Sequence, residues 1–237
     1  MKLVLVTLMI CLNVMQYDYR AEFTFDYDWA VKFMFDYKES FIEKSQKYGT
    51  DNAIMTSVVF PEIIRYSIFR NYFETKGLEL IYVRHGKDCA DFSIGYFQMK
   101  PSFVEKLELY IMLNDSLKHK YDHIIRYKYK KAEKIRWERL ERIKSIDWQI
   151  EYLCCFYSLV SQNFQQIKAN DKEDKIRFYA TAYNHGFDKP AREIYKWMNV
   201  AVFPYGMKSK SRQYVYSDIS VEFYKKTYPQ IFHSNQR

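Results

Sequence analysis

Glycine and proline are scarce in this chain, six and five among 237 residues. That excludes collagen-like, Pro-rich and Gly/Ser-linker architectures, and it leaves room for long unbroken elements. Cysteine is scarce too, and the four present are Cys11, Cys89, Cys154 and Cys155. Loss of an N-terminal signal would remove Cys11 and leave an odd number, which rules out a complete disulfide framework. Cys154 and Cys155 are neighbours in an apolar stretch and read as small buried hydrophobes. His119 and His123 stand four residues apart, but no His-Glu-x-x-His pattern or third ligand accompanies them, so no metal is expected. No internal repeat is present.

Long apolar runs are also missing, with one short exception. After Met1-Lys2 the residues from Leu3 to Leu12 are apolar apart from Thr7, and no further charge precedes Asp18. A membrane-spanning helix needs about 20 such residues. The run therefore reads as a secretory signal over residues 1–16, with export to a periplasmic or extracellular location as its consequence. A buried N-terminal strand or helix is the competing reading. No Ala-x-Ala site follows the run, and lipid attachment at Cys11 is disfavoured by the bulky Ile10 before it. Residues 17–237 then form one domain, long enough to bury a substantial core.

What the chain has in quantity is apolar and aromatic side chains, 48% and 19% of residues. The aromatic stretch 17–48 mixes two-residue and helical spacing and gives no clear element. Thr50 and Asp51 supply caps for a helix from Asn52 to about Phe60, with Ile54, Val58 and Val59 on one face. Pro61 should interrupt it, and a second helical stretch follows from Ile63 to about Glu74. After Leu78–Val83 and a loop marked by Gly86, Asp88 and Asp91, a helical half begins at Pro101. It includes a charged segment from Lys118 to Lys144, an apolar helix over 146–167 and a helix ending near Asn184. Strand candidates are few, so the expected fold class is mainly α, α+β at most.

The segment Lys118–Lys144 holds 11 basic and 4 acidic residues, which accounts for seven of the chain's eight excess positive charges. Its simplest reading is a solvated helix face, which the four-residue spacing of Glu138 and Arg142 supports. Attraction to an anionic wall or membrane surface is a second reading. A third is nucleic-acid binding through Arg136, Arg139, Tyr127, Tyr129 and Trp137. An export signal argues against the third, so no nucleic-acid partner is expected.

Three motifs follow one another in the chain. The first is Val58-Val59-Phe60-Pro61-Glu62, the second runs from Phe92 through Gly95-Tyr96-Phe97-Gln98-Met99-Lys100-Pro101 to Ser102, and the third is Ala182-Tyr183-Asn184-His185-Gly186. In this order they resemble the lysozyme-like lytic transglycosylase family, over roughly residues 52–186. That family has a helix bearing a catalytic Glu, then Gly-Leu-Met-Gln with a Pro three residues later, then Ala-Tyr-Asn-Ala-Gly. Gly95, Gln98 and Pro101 match the second motif, with Tyr96 and Phe97 in place of its Leu and Met. Ala182, Tyr183, Asn184 and Gly186 match the third, with His185 in place of a small residue. Ile63 follows Glu62 where the family has Ser. Glu74 is a rival to Glu62; the apolar helix leading into Glu62 favours the latter.

The resemblance implies a lysozyme-like helical domain with a substrate groove and no cofactor. It implies cleavage of the β-1,4 bond between N-acetylmuramic acid and N-acetylglucosamine in peptidoglycan strands. Glu62 would protonate the leaving oxygen and then activate the sugar's own 6-hydroxyl, giving a 1,6-anhydromuramoyl end. Such an acid must hold its proton near neutral pH, which burial against Phe60, Ile63 and Ile64 would favour. A place at the C-terminal end of a helix would raise its pKa further, and a place in a first turn would lower it.

Gly95 would let the backbone approach a sugar, and Gln98, Tyr183 and Asn184 would hydrogen-bond hydroxyl or acetamido groups. Tyr96 and Phe97 would stack on sugar faces. Hydrolytic glycosidases use two carboxylates, about 5 to 9.5 Å apart. Asp91 is the candidate for a second one, against a plain turn role. A non-catalytic peptidoglycan-binding protein and a hydrolytic lysozyme are the alternatives. All these readings require Glu62, Gln98, Tyr183 and Asn184 to meet in one groove.

Overall fold

The computed structural model describes residues 17–70, 75–165, 169 and 171–233. The apolar run with Cys11, and Glu74, lie outside the described residues. The fold is mainly α, as expected. The elements are α1 (Tyr19–Asp36), α2 (Lys38–Tyr48), α3 (Asn52–Phe69), α4 (Lys76–His85), α5 (Pro101–Leu113), α6 (Asp115–Ile125), α7 (Ala132–Lys144) and α8 (Ile146–Asn163). They continue with α9 (Lys172–His185), α10 (Ala191–Trp197), β1 (Ala201–Phe203), β2 (Tyr214–Val215), α11 (Tyr216–Glu222), a π-helical turn (Phe223–Thr227) and α12 (Tyr228–Phe232). β1 and β2 form a small antiparallel pair, with Ala201 opposite Val215 and Phe203 opposite Tyr214.

The organising element is α3. It packs against α1, α9 and α11 and is buried continuously from Ala53 to Ile64. A helix apolar on every side belongs in a core, and its sequence Ala-Ile-Met-Thr-Ser-Val-Val-Phe-Pro fits no other place. Its start is fixed by Asp51, whose carboxylate accepts from the backbone N–H of Ala53 and Ile54 at 3.0 and 3.2 Å. Lys172, at the start of α9, pairs with the same carboxylate at 2.8 Å.

Pro61 does not end this helix, contrary to the break expected there. It cannot donate to the Ser57 carbonyl, a loss that costs an interior helix about 3 kcal/mol. Packing on all sides compensates for that loss. The next carbonyl, Val58, receives the Tyr216 hydroxyl at 2.8 Å from the start of α11.

The basic segment is largely solvated, as expected, with eight of its eleven Lys and Arg exposed, but Arg136, Arg139 and Arg142 turn inward. Arg139 and Arg142, the second of which pairs with Glu138 at 2.8 Å, are both buried. Arg139 makes paired bonds of 2.8 and 2.6 Å to Glu108 of α5 and a third contact to Glu105 at 3.1 Å. Arg142 donates to the Ile124 carbonyl at the end of α6, at 2.8 Å. Arg136 donates to the carbonyls of Val83 and Arg84 at the end of α4, at 2.7 and 2.9 Å. These three arginines therefore staple α4, α5 and α6 to α7, and Arg136 and Arg139 direct their donors to groups of the protein itself.

Cys154 and Cys155 are buried and free, as read from the sequence. Nearby on α8, Glu151 bonds Lys44 at 2.5 Å and His123 at 3.2 Å. Burial acts to raise its pKa, but hydrogen bonds from His123, Lys44 and Tyr48 outweigh burial and hold it at about 2.

Two predictions follow from these ion pairs. Arg139→Met leaves Glu108 buried without its cationic partner, the Tyr127 hydroxyl remaining, and lowers stability by about 3–5 kcal/mol in denaturant unfolding, whereas Arg20→Ala, in an exposed pair with Asp28, costs less than about 1 kcal/mol. The depressed Glu151 pKa adds stability that is full above the ordinary value of 4.5 and is lost as pH falls toward 2. Glu151→Gln removes that part of the acid sensitivity, which unfolding midpoints between pH 5 and 2 would measure.

Candidate functional site

The second motif folds into a tight loop between Asp91 and α5. Ile94 and Met99 exchange both backbone hydrogen bonds, at 2.9 and 3.0 Å, and close residues 95–98 into a turn. Gly95 and Gln98 both have positive φ, 70° and 49°. The Gln98 side-chain amide donates back to the Gly95 carbonyl at 2.9 Å.

Gln149, wholly buried in the first turn of α8, holds this turn from behind. Its amide oxygen accepts from the Phe97 N–H and its nitrogen donates to the Ile143 carbonyl, both at 2.8 Å. A Cβ on Gly95 would lie 1.9 Å from the Gln149 nitrogen. Gly95 is thus required for the approach of Gln149, and the close approach of a sugar expected there is replaced by an internal one.

Tyr183 and Phe97 also differ from expectation. Phe97 has no exposed surface and packs on Phe41 with ring centres 5.8 Å apart, so it cannot stack on a ligand. The Tyr183 hydroxyl donates to the Phe97 carbonyl at 2.8 Å. Burial pushes its pKa well up, so it keeps the proton that it donates. The third motif therefore braces the second, α9 against the turn. Tyr96 is half-buried at the rim, beside Tyr66 with ring centres 4.8 Å apart.

In front of the turn is a cavity of about 100 Å³ lined by Glu62, Arg65, Ser93, Gln98, Met99, Lys100, Phe103, Tyr183 and Asn184. The four residues expected to meet do so: Glu62 from α3, Gln98 from the turn, and Tyr183 and Asn184 from the end of α9. Asn184 is half-buried, and its side chain has no hydrogen-bond partner among the described residues. Asp91 takes the plain turn role instead of joining them. Its two oxygens accept from the Ser102 N–H and hydroxyl at 3.0 and 2.8 Å, capping α5, and it is exposed outside the Glu62 cavity.

Glu62 sits in the middle of α3, so the expected contribution from a helix end does not arise. Its electrostatic setting is burial, at 3% exposure, together with Arg65 one turn on. One nitrogen of Arg65 contacts both carboxylate oxygens at 2.7 Å. Burial raises the Glu62 pKa, Arg65 acts against it, and the net direction is upward because the desolvation of the charged form is the larger effect. Tyr216 stands beside the same carboxyl. The Arg65 guanidinium lies over the Phe203 ring at 4.8 Å, and its Nε is buried without a partner.

Three contributors were not read from the sequence. Arg65 had a signal in its three-residue spacing from Glu62, which brings the two onto one helix face. Gln149 had a weaker one, as an amide in an apolar helix. Tyr216 had none, being 154 residues from Glu62 in the chain. Among the described residues no group of acidic, His or Cys side chains could hold a metal.

No protein-family model, curated protein or solved structure matches this chain.

Gly95→Ala is predicted to cost about 1–2 kcal/mol for a left-handed backbone and about 1 kcal/mol more for the displaced Gln149 hydrogen bond. Denaturant unfolding of the variant checks this, and Gly77→Ala, where a Cβ meets nothing within 4 Å, serves as the comparison.

Proposed function

We propose that the protein cleaves peptidoglycan glycan strands at the β-1,4 bond between N-acetylmuramic acid and N-acetylglucosamine, with Glu62 as acid and then base. The observation that carries this is the meeting of Glu62, Gln98 and Asn184, from three distant segments, around one cavity that is open to a ligand. Their order in the chain is that of the lysozyme-like lytic transglycosylases.

In this reading Glu62, with its pKa raised by burial, gives its proton to the glycosidic oxygen. The carboxylate formed is stabilised by Arg65 at once, without rearrangement. It then takes the proton of the sugar's 6-hydroxyl, which closes onto the anomeric carbon and leaves a 1,6-anhydro end. Gln98 and Asn184 supply the amides that hold hydroxyl and acetamido groups. With Asp91 committed to Ser102, one carboxylate serves both steps, which favours the non-hydrolytic product over a lysozyme-type one. Export, as read from residues 1–16, belongs to the same proposal, because the substrate lies outside the cytoplasm.

A second reading is a non-catalytic protein that binds the same strands. The Arg65 contact to both oxygens favours it, because a guanidinium at 2.7 Å opposes the protonation that an acid needs.

Digestion of purified peptidoglycan, with products separated and weighed by mass spectrometry, distinguishes the two. The expected result is release of anhydro-ended muropeptides, lowered by 10²-fold or more on the order of a lost general acid in Glu62→Gln. Activity should fall as pH rises through the elevated Glu62 pKa, and in Arg65→Met the fall should move to higher pH. Sedimentation of the protein with peptidoglycan and no release of products would favour the binding reading. Neither release nor binding would overturn both.

A further inference from the structure

Three arginines of the basic segment turn inward, but its lysines do not. Lys128, Lys130, Lys131 and Lys134, in the loop before α7 and in its first turn, are exposed and have no carboxylate partner among the described residues. One acid, Glu133, stands exposed among them. The division has a physical sense. An arginine fork suits fixed carboxylates and carbonyls, whereas lysine is a flexible, hydrated point charge that suits a fluid anionic surface.

The loop that carries these charges is held from behind. The Tyr127 hydroxyl donates to Glu108, the Arg142 guanidinium lies 4.3 Å from the Tyr127 ring centre, and the Lys128 N–H donates to Glu138 at 3.0 Å. Tyr129 is left exposed, with the Lys134 ammonium 4.8 Å from its ring centre. Trp137, one turn further along α7, is 51% exposed. Lys134, Trp137, Glu141 and Lys144 follow at spacings of three and four residues and so form one stripe of the helix. That stripe meets an apolar edge of α4: Lys144 binds Glu79 at 2.8 Å, and Leu78, Leu80 and Ile81, which flank this glutamate, are exposed.

A soluble polyanion is held mainly by charge and gains little from an exposed indole or leucine. A bilayer interface accepts both, since lysines meet lipid phosphates and a tryptophan lies among the headgroups. We infer that the 128–137 face and the neighbouring edge of α4 dock on an anionic lipid bilayer, with Lys128, Lys130, Lys131 and Lys134 against the headgroups and Trp137 at the interface. This docking does not depend on the chemistry at Glu62.

The test uses the full chain and two kinds of vesicle, one of phosphatidylcholine alone and one with an equal amount of phosphatidylglycerol. Co-sedimentation gives the preference for anionic over neutral vesicles. It is measured for the wild type, for the variant with all four lysines changed to Gln, and for a comparison variant with Lys208→Gln and Lys210→Gln, two exposed lysines elsewhere. Brominated lipids report, by quenching, whether an indole reaches the interface, and Trp137→Phe identifies which one. Duplex DNA and poly(glycerol phosphate) serve as polyanions without a bilayer.

The wild type is expected to prefer anionic vesicles. Four lysines at about fivefold each make the quadruple variant lose that preference by about 100-fold or more. The Lys208 and Lys210 variant keeps it, and the bromine quench disappears in Trp137→Phe. Equal partition onto both vesicles, or an equal loss in the comparison variant, would overturn the docking face, as would binding that leaves Trp137 unquenched. Binding of DNA or poly(glycerol phosphate) at least as tight, phosphate for phosphate, as that of the anionic vesicles would overturn the bilayer in favour of a soluble polyanion.

Discussion

A carboxyl group buried in the middle of an apolar helix sets the terms for everything around it. Placing Glu62 in the core costs free energy unless the group is neutral or paired, and the chain does something of both. Burial favours the protonated form and Arg65 favours the ionised one. Burial is the larger effect, and the proposed role, acid first and then base, needs a group that holds its proton before it gives it. The same burial explains why α3 tolerates Pro61: the core holds the helix through the break, and Tyr216 supplies a donor to Val58 where the helix is loosened.

The opposite wall of the site is a turn that is stiff because it is braced from behind. Gln149 binds the Phe97 N–H and Tyr183 binds the Phe97 carbonyl, so one peptide-bearing residue is fixed from two helices. Gln98 is thereby held in a left-handed backbone conformation that it would rarely adopt in a free loop. The fixed turn separates the Glu62 cavity from a larger one lined by Arg70, and Gln98 faces both.

Much of this was legible in the residues. The scarcity of turn formers and the apolar periodicity identified a mainly helical chain. The cap at Asp51 and the helix ending near Asn184 were readable at close to their observed positions. The meeting of Glu62, Gln98, Tyr183 and Asn184 was expected from motif order. What local pattern did not show was which polar groups face inward. Phe97 and Tyr183 read as ligand contacts but serve the interior, since an aromatic side chain looks alike on a rim and in a core.

The solvated reading of Lys118–Lys144 fails only at Arg136, Arg139 and Arg142, because charge in a sequence does not reveal its partners. Glu105 and Glu108, which neutralise Arg139, lie more than 30 residues away. Pro61 read as a break because the preference against proline is local, while the packing that overrides it comes from α1, α9 and α11. The residues hardest to foresee, Gln149 and Tyr216, act through contacts that only the tertiary fold creates.

The central claim is the electrostatic one, that burial outweighs Arg65 at Glu62. It is tested most directly by titrating the Glu62 side-chain carboxyl carbon by NMR in the isotopically labelled full chain, with Arg65→Met alongside. The account predicts a midpoint above that of an ordinary glutamate in the wild type and a further rise when Arg65 is removed. A wild-type midpoint at or below the ordinary value would contradict it, because the ion pair would then dominate and leave Glu62 without a proton to give.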